Sequence, residues 1–309
     1  MAQTLAFLGA SSQIARDLIC AMVSAGRRDL LLYARDLPAM QNWIELRGLG
    51  HAATVHPYEA YDLLPHDAVL NFVGVGDPRR LAEMGRSIFD LTQEFDDLAL
   101  AGLSRHPQRR YLFMSSGAVF GHAYQTPVTR DSMSIIPVNA ITASDWYAVA
   151  KLHAEVRHRA RQESAIVDLR VYNYFSRSQD LHARFFMSEI LRAIQANEIL
   201  SVSADPMVRD FMHPSDFHQL VECVLASPPA NDAIDCYTRA PVDKAKLLNT
   251  MREHFGLRYV TAASNRPALQ ATGAKPFYYS QNFRAAHYGY HPQYSSIDGV
   301  LEEAAALLT

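Results

Sequence analysis

Thr4-Leu5-Ala6-Phe7-Leu8-Gly9-Ala10-Ser11-Ser12-Gln13-Ile14-Ala15 is a short apolar run that breaks at a glycine and resumes at a different spacing. Residues 4–9 have the length and continuity of a buried strand. Ile14, Leu18 and Met22 then recur every four residues, and Gly26 follows where a helix would stop. The stretch reads as a strand that turns through small residues into an amphipathic helix.

The same alternation continues outward. Residues 30–33, 53–58, 68–75, 111–115 and 166–172 are further apolar strand patterns, most of them without polar alternation. Continuous apolar strands separated by helices indicate a parallel sheet covered on both faces. One long helix is expected over residues 79–102. A second is expected over 142–162, with Thr142 or Ser144 as cap and Asp145 in its first turn. After Phe175 the alternation gives way to a helix near 182–197 and irregular aromatic segments. The expected fold is α/β: a Rossmann-type doubly wound parallel sheet with a smaller, mixed C-terminal substrate lobe. Residues 1–175 form the dinucleotide domain, completed by 210–238, and residues 176–209 and 239–309 form the lobe.

Composition narrows the class. The 309 residues are 49% apolar and 20% charged, with a formal charge of −3, as in a globular domain with a sizeable core. Charges of both signs are scattered, so no basic tract invites nucleic acid or a membrane surface. No apolar run reaches the roughly 20 residues a membrane helix needs. Cys20, Cys223 and Cys236 are odd in number and far apart, which fits a reducing, cytoplasmic setting rather than a disulfide framework or zinc ribbon. The N-terminus lacks the basic start and cleavage site of a signal peptide.

The first turn has the small residues that a phosphate site needs. A pyrophosphate needs a tight, close backbone, free N–H groups and the positive end of a helix dipole. Gly9 is the one glycine, with Ser12 and Ala15 in the other small positions, while Ser11, Gln13 and Ile14 supply amides. An ordinary strand–turn–helix uses the same residue types, so the loop alone leaves both readings open. The end of the second strand says more. NAD sites place a carboxylate there for the ribose 2′-hydroxyl, whereas this chain has Tyr33-Ala34-Arg35. A guanidinium pairs with a 2′-phosphate, so Arg35 points to NADP; the adjacent Asp36 keeps NAD possible.

Tyr147 and Lys151 are four apart and share one face of a helix. A phenol titrates near 10, and bringing it to about 7 takes roughly 4 kcal/mol of phenolate stabilisation. A lysine ammonium about 4 Å away supplies that order of energy at an effective dielectric near 20. The pair follows the strand ending at Ser116 by about 30 residues, and the C-terminal end of such a strand is where open α/β sheets bind ligands. The Ser116 hydroxyl is placed to hold a reacting oxygen against Tyr147.

With these residues in order, the chain resembles the extended short-chain dehydrogenase/reductase family, which contains nucleotide-sugar epimerases, dehydratases and 4-keto reductases. Gly9-x-x-Ser12-x-x-Ala15 resembles the family's glycine loop, and Ser115-Ser116-Gly117-Ala118-Val119-Phe120-Gly121 its serine motif. Arg170-Val171-Tyr172-Asn173, Arg209-Asp210-Phe211-Met212-His213 and Tyr288-Gly289-Tyr290-His291-Pro292 resemble later motifs. The resemblance implies Ser116, Tyr147 and Lys151 as catalytic residues. Asp62 and Leu63 would lie near the adenine, and Val73 and Gly74 along the cofactor with Tyr147 and Lys151. Asn173 and Arg209 would contact the substrate diphosphate.

The departures select the reaction. The family's dehydratases carry an Asp–Glu pair where this chain has Gly117 and Ala118, and its epimerases keep NAD bound, which Arg35 disfavours. The expectation is an NADP-dependent reductase of an NDP-4-keto-6-deoxyhexose. The alternatives are an NAD-dependent nucleotide-sugar 4-epimerase and, outside enzymes, an NADP-binding sensor or scaffold. Tyr-Phe-Ser-Arg after Asn173 replaces the usual Tyr-Gly-Pro, making the substrate loop unusual. His153 and His158 are five apart among Arg157, Arg159 and Arg161, which reads as a solvated face and no metal site. His213 reads as a packed, hydrogen-bonded histidine in preference to a ligand or acid, and Tyr172, Tyr174 and Phe175 as core, with stacking on a nucleotide base the alternative. Leu81, Met84, Ile88, Leu91, Phe95 and Leu98 form a stripe that suits a homodimer or packing on the sheet.

Overall fold

The computed structural model describes residues 3–262 and 275–308. Residues 263–274 of the expected lobe, and the chain's last residue, lie outside the described residues. β1 (Leu5–Leu8) is wholly buried and leads into α1 (Gln13–Ser24), whose cap is the Ser12 hydroxyl accepting the Ala15 N–H. β2 (Leu30–Tyr33), α2 (Leu37–Leu46), β3 (Ala53–His56) and β4 (Ala68–Asn71) continue the alternation. The single long helix expected over 79–102 is two: α3 (Pro78–Met84) and α4 (Ser87–Arg105). Gly85 between them has φ +54, which no helical residue adopts.

β5 (Arg110–Ser116) and α5 (Trp146–Arg159) carry the serine and the Tyr–Lys pair. α5 starts later than expected, and neither Thr142 nor Ser144 caps it. The reason is Asp145, whose carboxylate accepts from the Thr142 N–H and hydroxyl and from His122, and so pins the entry loop instead of extending the helix. β6 (Ile166–Val171) follows.

Beyond it come β7 (Asn173–Tyr174), α6 (Phe186–Gln195), β8 (Ile199–Ser203), β9 (Val208–Arg209), β10 (Phe211–Met212), α7 (Pro214–Ala226) and β11 (Asp232–Asp235). β12 (Val242–Asp243), α8 (Lys244–Phe255), β13 (Arg258–Ala262), β14 (Phe277–Tyr278) and α9 (Ser296–Leu308) complete the described chain.

The main sheet is a seven-stranded, all-parallel Rossmann sheet in the order β11-β6-β5-β4-β1-β2-β3. The order reverses between β1 and β4, and such a switch point opens a crevice at the strands' carboxyl ends. One face buries Phe7, Leu32, Ile19 and Leu220 with α1 and α7; the other buries Val69, Phe113, Leu100 and Ala154 with α4 and α5. β11 joins the sheet beside β6, so the chain returns to the first layer after visiting the lobe. The lobe has its own core of Met187, Ile190, Leu247, Met251 and Val300. Its short strands pair as β13–β8 and β12–β9–β14. Among the described residues no helix is long and apolar enough to cross a membrane.

Candidate active site

A cleft of about 1610 Å³ runs from the first turn of α1, past the ends of β4 and β5, to the lobe. Ser11, Ser12, Gln13 and Ile14 border it at the helix end, and Val73 and Gly74 in its floor. Ser116, Tyr147, Lys151, Asn173 and Arg209 border it farther along. Gly9 lies just below this surface with φ +72, and a Cβ there would sit 2.8 Å from the Val73 nitrogen. Only glycine fits so close a crossing of β1 and β4, which leaves the turn narrow and its following amides at the cleft. That is the shape a dinucleotide's pyrophosphate requires.

Arg35, Asp62 and Leu63 do not border the cleft. Arg35 is exposed just past β2, near enough to Tyr58 for its charge to favour the phenolate, while Asp36 accepts the Ala39 N–H and caps α2. Asp62 is held by Arg105 and by Arg109 Nη1 at 2.8 Å, so its carboxylate is committed to two guanidinium ions; Leu63 is exposed.

Around Ser116 the groups converge. Its Oγ accepts the Ala118 N–H at 3.1 Å, lies 3.2 Å from the Tyr278 hydroxyl, and is near enough to Tyr147 to favour that residue's phenolate. Burial pushes the Tyr147 phenol above its ordinary pKa, and Ser116 only partly offsets this. Lys151 is almost wholly buried, with its Nζ 6.0 Å from the Tyr147 ring centre and donating to the Met114 carbonyl at 2.7 Å. Burial lowers Lys151 to about 8, against the opposing charges of Asp96, Asp168 and Glu155. A protonated phenol beside a buried ammonium can serve chemically as a proton donor.

Gly117 and Ala118 are buried. A Cβ at 117 would lie 2.4 Å from the Tyr172 ring, so the aromatic side chain fills the place where an acidic one would stand. Asn173 Nδ2 donates to the Asp210 carbonyl, and Arg209 Nη1 donates to the carbonyls of Val208 and Lys275 at 2.8 Å. The unusual segment after Asn173 has partners of its own. Tyr174, Ser176 and Ser178 all donate to one carboxylate oxygen of Asp17 on α1, and Gln13 donates to Ser176, which joins this segment to α1.

The structure corrects one histidine. His158 is fully buried, with Nδ1 2.6 Å from Asp168 and Nε2 2.7 Å from Asp96. Asp96 also accepts from Tyr111, which accepts from Asn71, whose Oδ1 takes the Val73 N–H. A buried polar chain therefore runs from α5 through the sheet to the floor of the cleft. The arginine-rich surroundings suggested a solvated face, but Arg157 and Arg159 reach around to the same two aspartates. His213 is buried, bonded to Ser215 and stacked on Tyr294 at 3.9 Å. Ile88 and Phe95 of the α4 stripe are buried within the protomer, while Leu91 and Leu98 are half-buried.

The model of the NAD dependent epimerase/dehydratase family matches residues 8–237. The chain belongs to this family. None of the curated proteins matches it in sequence. Solved structures show how the family fold recurs. The UDP-N-acetylglucosamine 4-epimerase of Methanobrevibacter ruminantium M1, in complex with UDP-N-acetylmuramic acid, has a TM-score of 0.80 at 15% identity, covering 99% of this chain and 97% of its own. The UDP-glucose 4-epimerase of Bifidobacterium longum, with NAD+ and UDP, has 0.75 at 15%, covering 99% and 97%. The dTDP-glucose 4,6-dehydratase of Bacillus anthracis, with NAD, has 0.75 at 12%, covering 99% and 96%. At these identities the likeness speaks for the epimerase/dehydratase fold.

Tyr278 was invisible to the sequence reading. It sits 162 residues from Ser116 in an aromatic segment with no motif around it, and only the pairing of β14 with β9 brings it to the cleft.

Proposed function

We propose that the chain is an NADP-dependent oxidoreductase that reduces a nucleotide-activated sugar, an NDP-4-keto-6-deoxyhexose, with Tyr147 as proton donor. The observation that carries the cofactor choice is the end of β2. Asp36 caps α2, and the exposed Arg35 guanidinium would then pair with a 2′-phosphate. The α1 amides would hold the pyrophosphate, and Asn173 and Arg209 the sugar's diphosphate. Bound NADPH supplies the hydride that such a reduction consumes.

The chain's own residues do the rest. Ser116 holds the carbonyl oxygen, and Tyr147, kept protonated by burial, delivers its proton to that oxygen as negative charge develops. Lys151, fixed by the Met114 carbonyl, supports the phenolate that remains. The Tyr172 ring against Gly117 leaves no room for a dehydratase's acid, which favours simple reduction over elimination.

The second reading, an NAD-dependent nucleotide-sugar 4-epimerase, is favoured by the full-length fold likeness to proteins of that activity. Denaturing the purified protein, identifying released nucleotide by mass spectrometry and titrating emptied protein with NADPH and NADH separates the two. At least tenfold preference for NADPH, about 1.4 kcal/mol, supports the reductase; stoichiometric, tightly held NAD replaces it with the epimerase. The proposal extends to a cytoplasmic homodimer, which light scattering on the eluting protein checks.

A further inference from the structure

We propose that Tyr278 is a positioning residue of the reaction centre: its phenol fixes the Ser116 hydroxyl as a hydrogen-bond donor. The inference rests on the assignment of Ser116 and Tyr147 as the reacting pair. A serine hydroxyl has one proton and two acceptor sites. The Ala118 N–H fills one acceptor site of Ser116. The Tyr278 hydroxyl lies 3.2 Å from the same oxygen, a contact in which either hydroxyl can donate. With Tyr278 as the donor it fills the second site, and the serine proton is left to point at Tyr147 and the oxygen that Tyr147 serves. Hydrogen bonds in such a chain strengthen one another, so the donation by Tyr278 also sharpens what Ser116 gives to Tyr147.

The phenol is held rigidly enough to do this. β14 pairs in parallel with β9, placing Tyr278 opposite Arg209, and Arg209 Nη1 clamps the Lys275 carbonyl three residues upstream. The ring packs edge-on against Tyr124 at 4.8 Å and Tyr172 at 5.2 Å. Lys275 Nζ lies 4.8 Å from its centre and the Arg209 guanidinium 5.9 Å. Two rings and two cations pack around it, and its hydroxyl lies at Ser116. The lobe that receives the sugar thereby completes the hydrogen bonding of the catalytic serine in the first domain.

The test is Tyr278→Phe, which keeps the ring and removes the hydroxyl, combined with Ser116→Ala. Turnover of an NDP-4-keto sugar should fall about tenfold in Tyr278→Phe with little change in KM, and Tyr278→Phe should add no further loss in the Ser116→Ala background. Losses that multiply in the double variant, or unchanged turnover, overturn the proposal. A second measurement needs no substrate. The phenolate absorbance of Tyr147, isolated by subtracting the Tyr147→Phe protein, should titrate at higher pH in Tyr278→Phe, because Ser116 donates to it less strongly. An unmoved Tyr147 titration overturns the proposal even in a protein inactive toward every keto sugar tried, while inactivity with a moved titration faults the assigned reaction instead.

Discussion

Two polar clusters meet helix α5 from opposite ends, and they are built on opposite principles. Behind the sheet, His158 is fully buried, yet each ring nitrogen faces a carboxylate, and Arg157 and Arg159 complete the charge balance around Asp96 and Asp168. At the cleft, Ser116, Tyr147 and Lys151 meet no carboxylate at hydrogen-bond distance among the described residues; a hydroxyl, a backbone amide and a backbone carbonyl are their partners. The first cluster satisfies itself and holds the helix on the sheet. The second is left at odds with its burial, with its phenol pushed up and its amine pushed down, which is the usual condition of groups that await a reacting partner. One helix supplies both clusters, so its stability and its chemistry are separable by mutation.

The largest expected effect tests the cleft cluster. Tyr147→Phe should lower turnover of a keto-sugar substrate about 10³-fold while leaving the urea midpoint and NADPH affinity near wild type. A binding module would keep its function in that variant. His158→Leu should do the reverse. It takes one partner from each of the buried Asp96 and Asp168 and should cost about 3 kcal/mol in urea unfolding, with the NADPH:NADH preference unchanged.

The same histidine gives the charged cluster a pH signature. Burial alone would lower its pKa, but the Asp168 charge and the hydrogen bonds to both aspartates more than reverse this and raise it from 6.5 to about 9. A folded-state pKa above the unfolded one stabilises the protein fully below about 6.5, and that stability is lost as pH climbs through about 9. Urea midpoints measured from pH 6 to 10 should fall along this limb in wild type and less steeply in His158→Leu. The smallest effect concerns neither cluster: Arg35→Ser should reduce the preference for NADPH about tenfold, by titration, with turnover at saturating cofactor little changed.

The sequence by itself determined the parallel sheet, because continuous apolar runs such as Leu5–Leu8 and Leu30–Tyr33 have no stable home except between two helical layers. It also determined that Tyr147 and Lys151 share a face and that Ser116 ends a strand, since both follow from local periodicity. What it misjudged were boundaries and burial. Gly85 breaks a helix whose apolar spacing continues through it, and Asp145 diverts its carboxylate to the loop before α5. His158 lies among arginines that look solvated in one dimension but converge on two aspartates 62 and 10 residues away. Only the tertiary structure decided that Tyr172 fills the space above Gly117, that Asp17 receives the segment after Asn173, and that Tyr278 reaches Ser116. Those contacts join residues far apart in the chain through the packing of the lobe on the sheet, and local spacing carries no record of such distances.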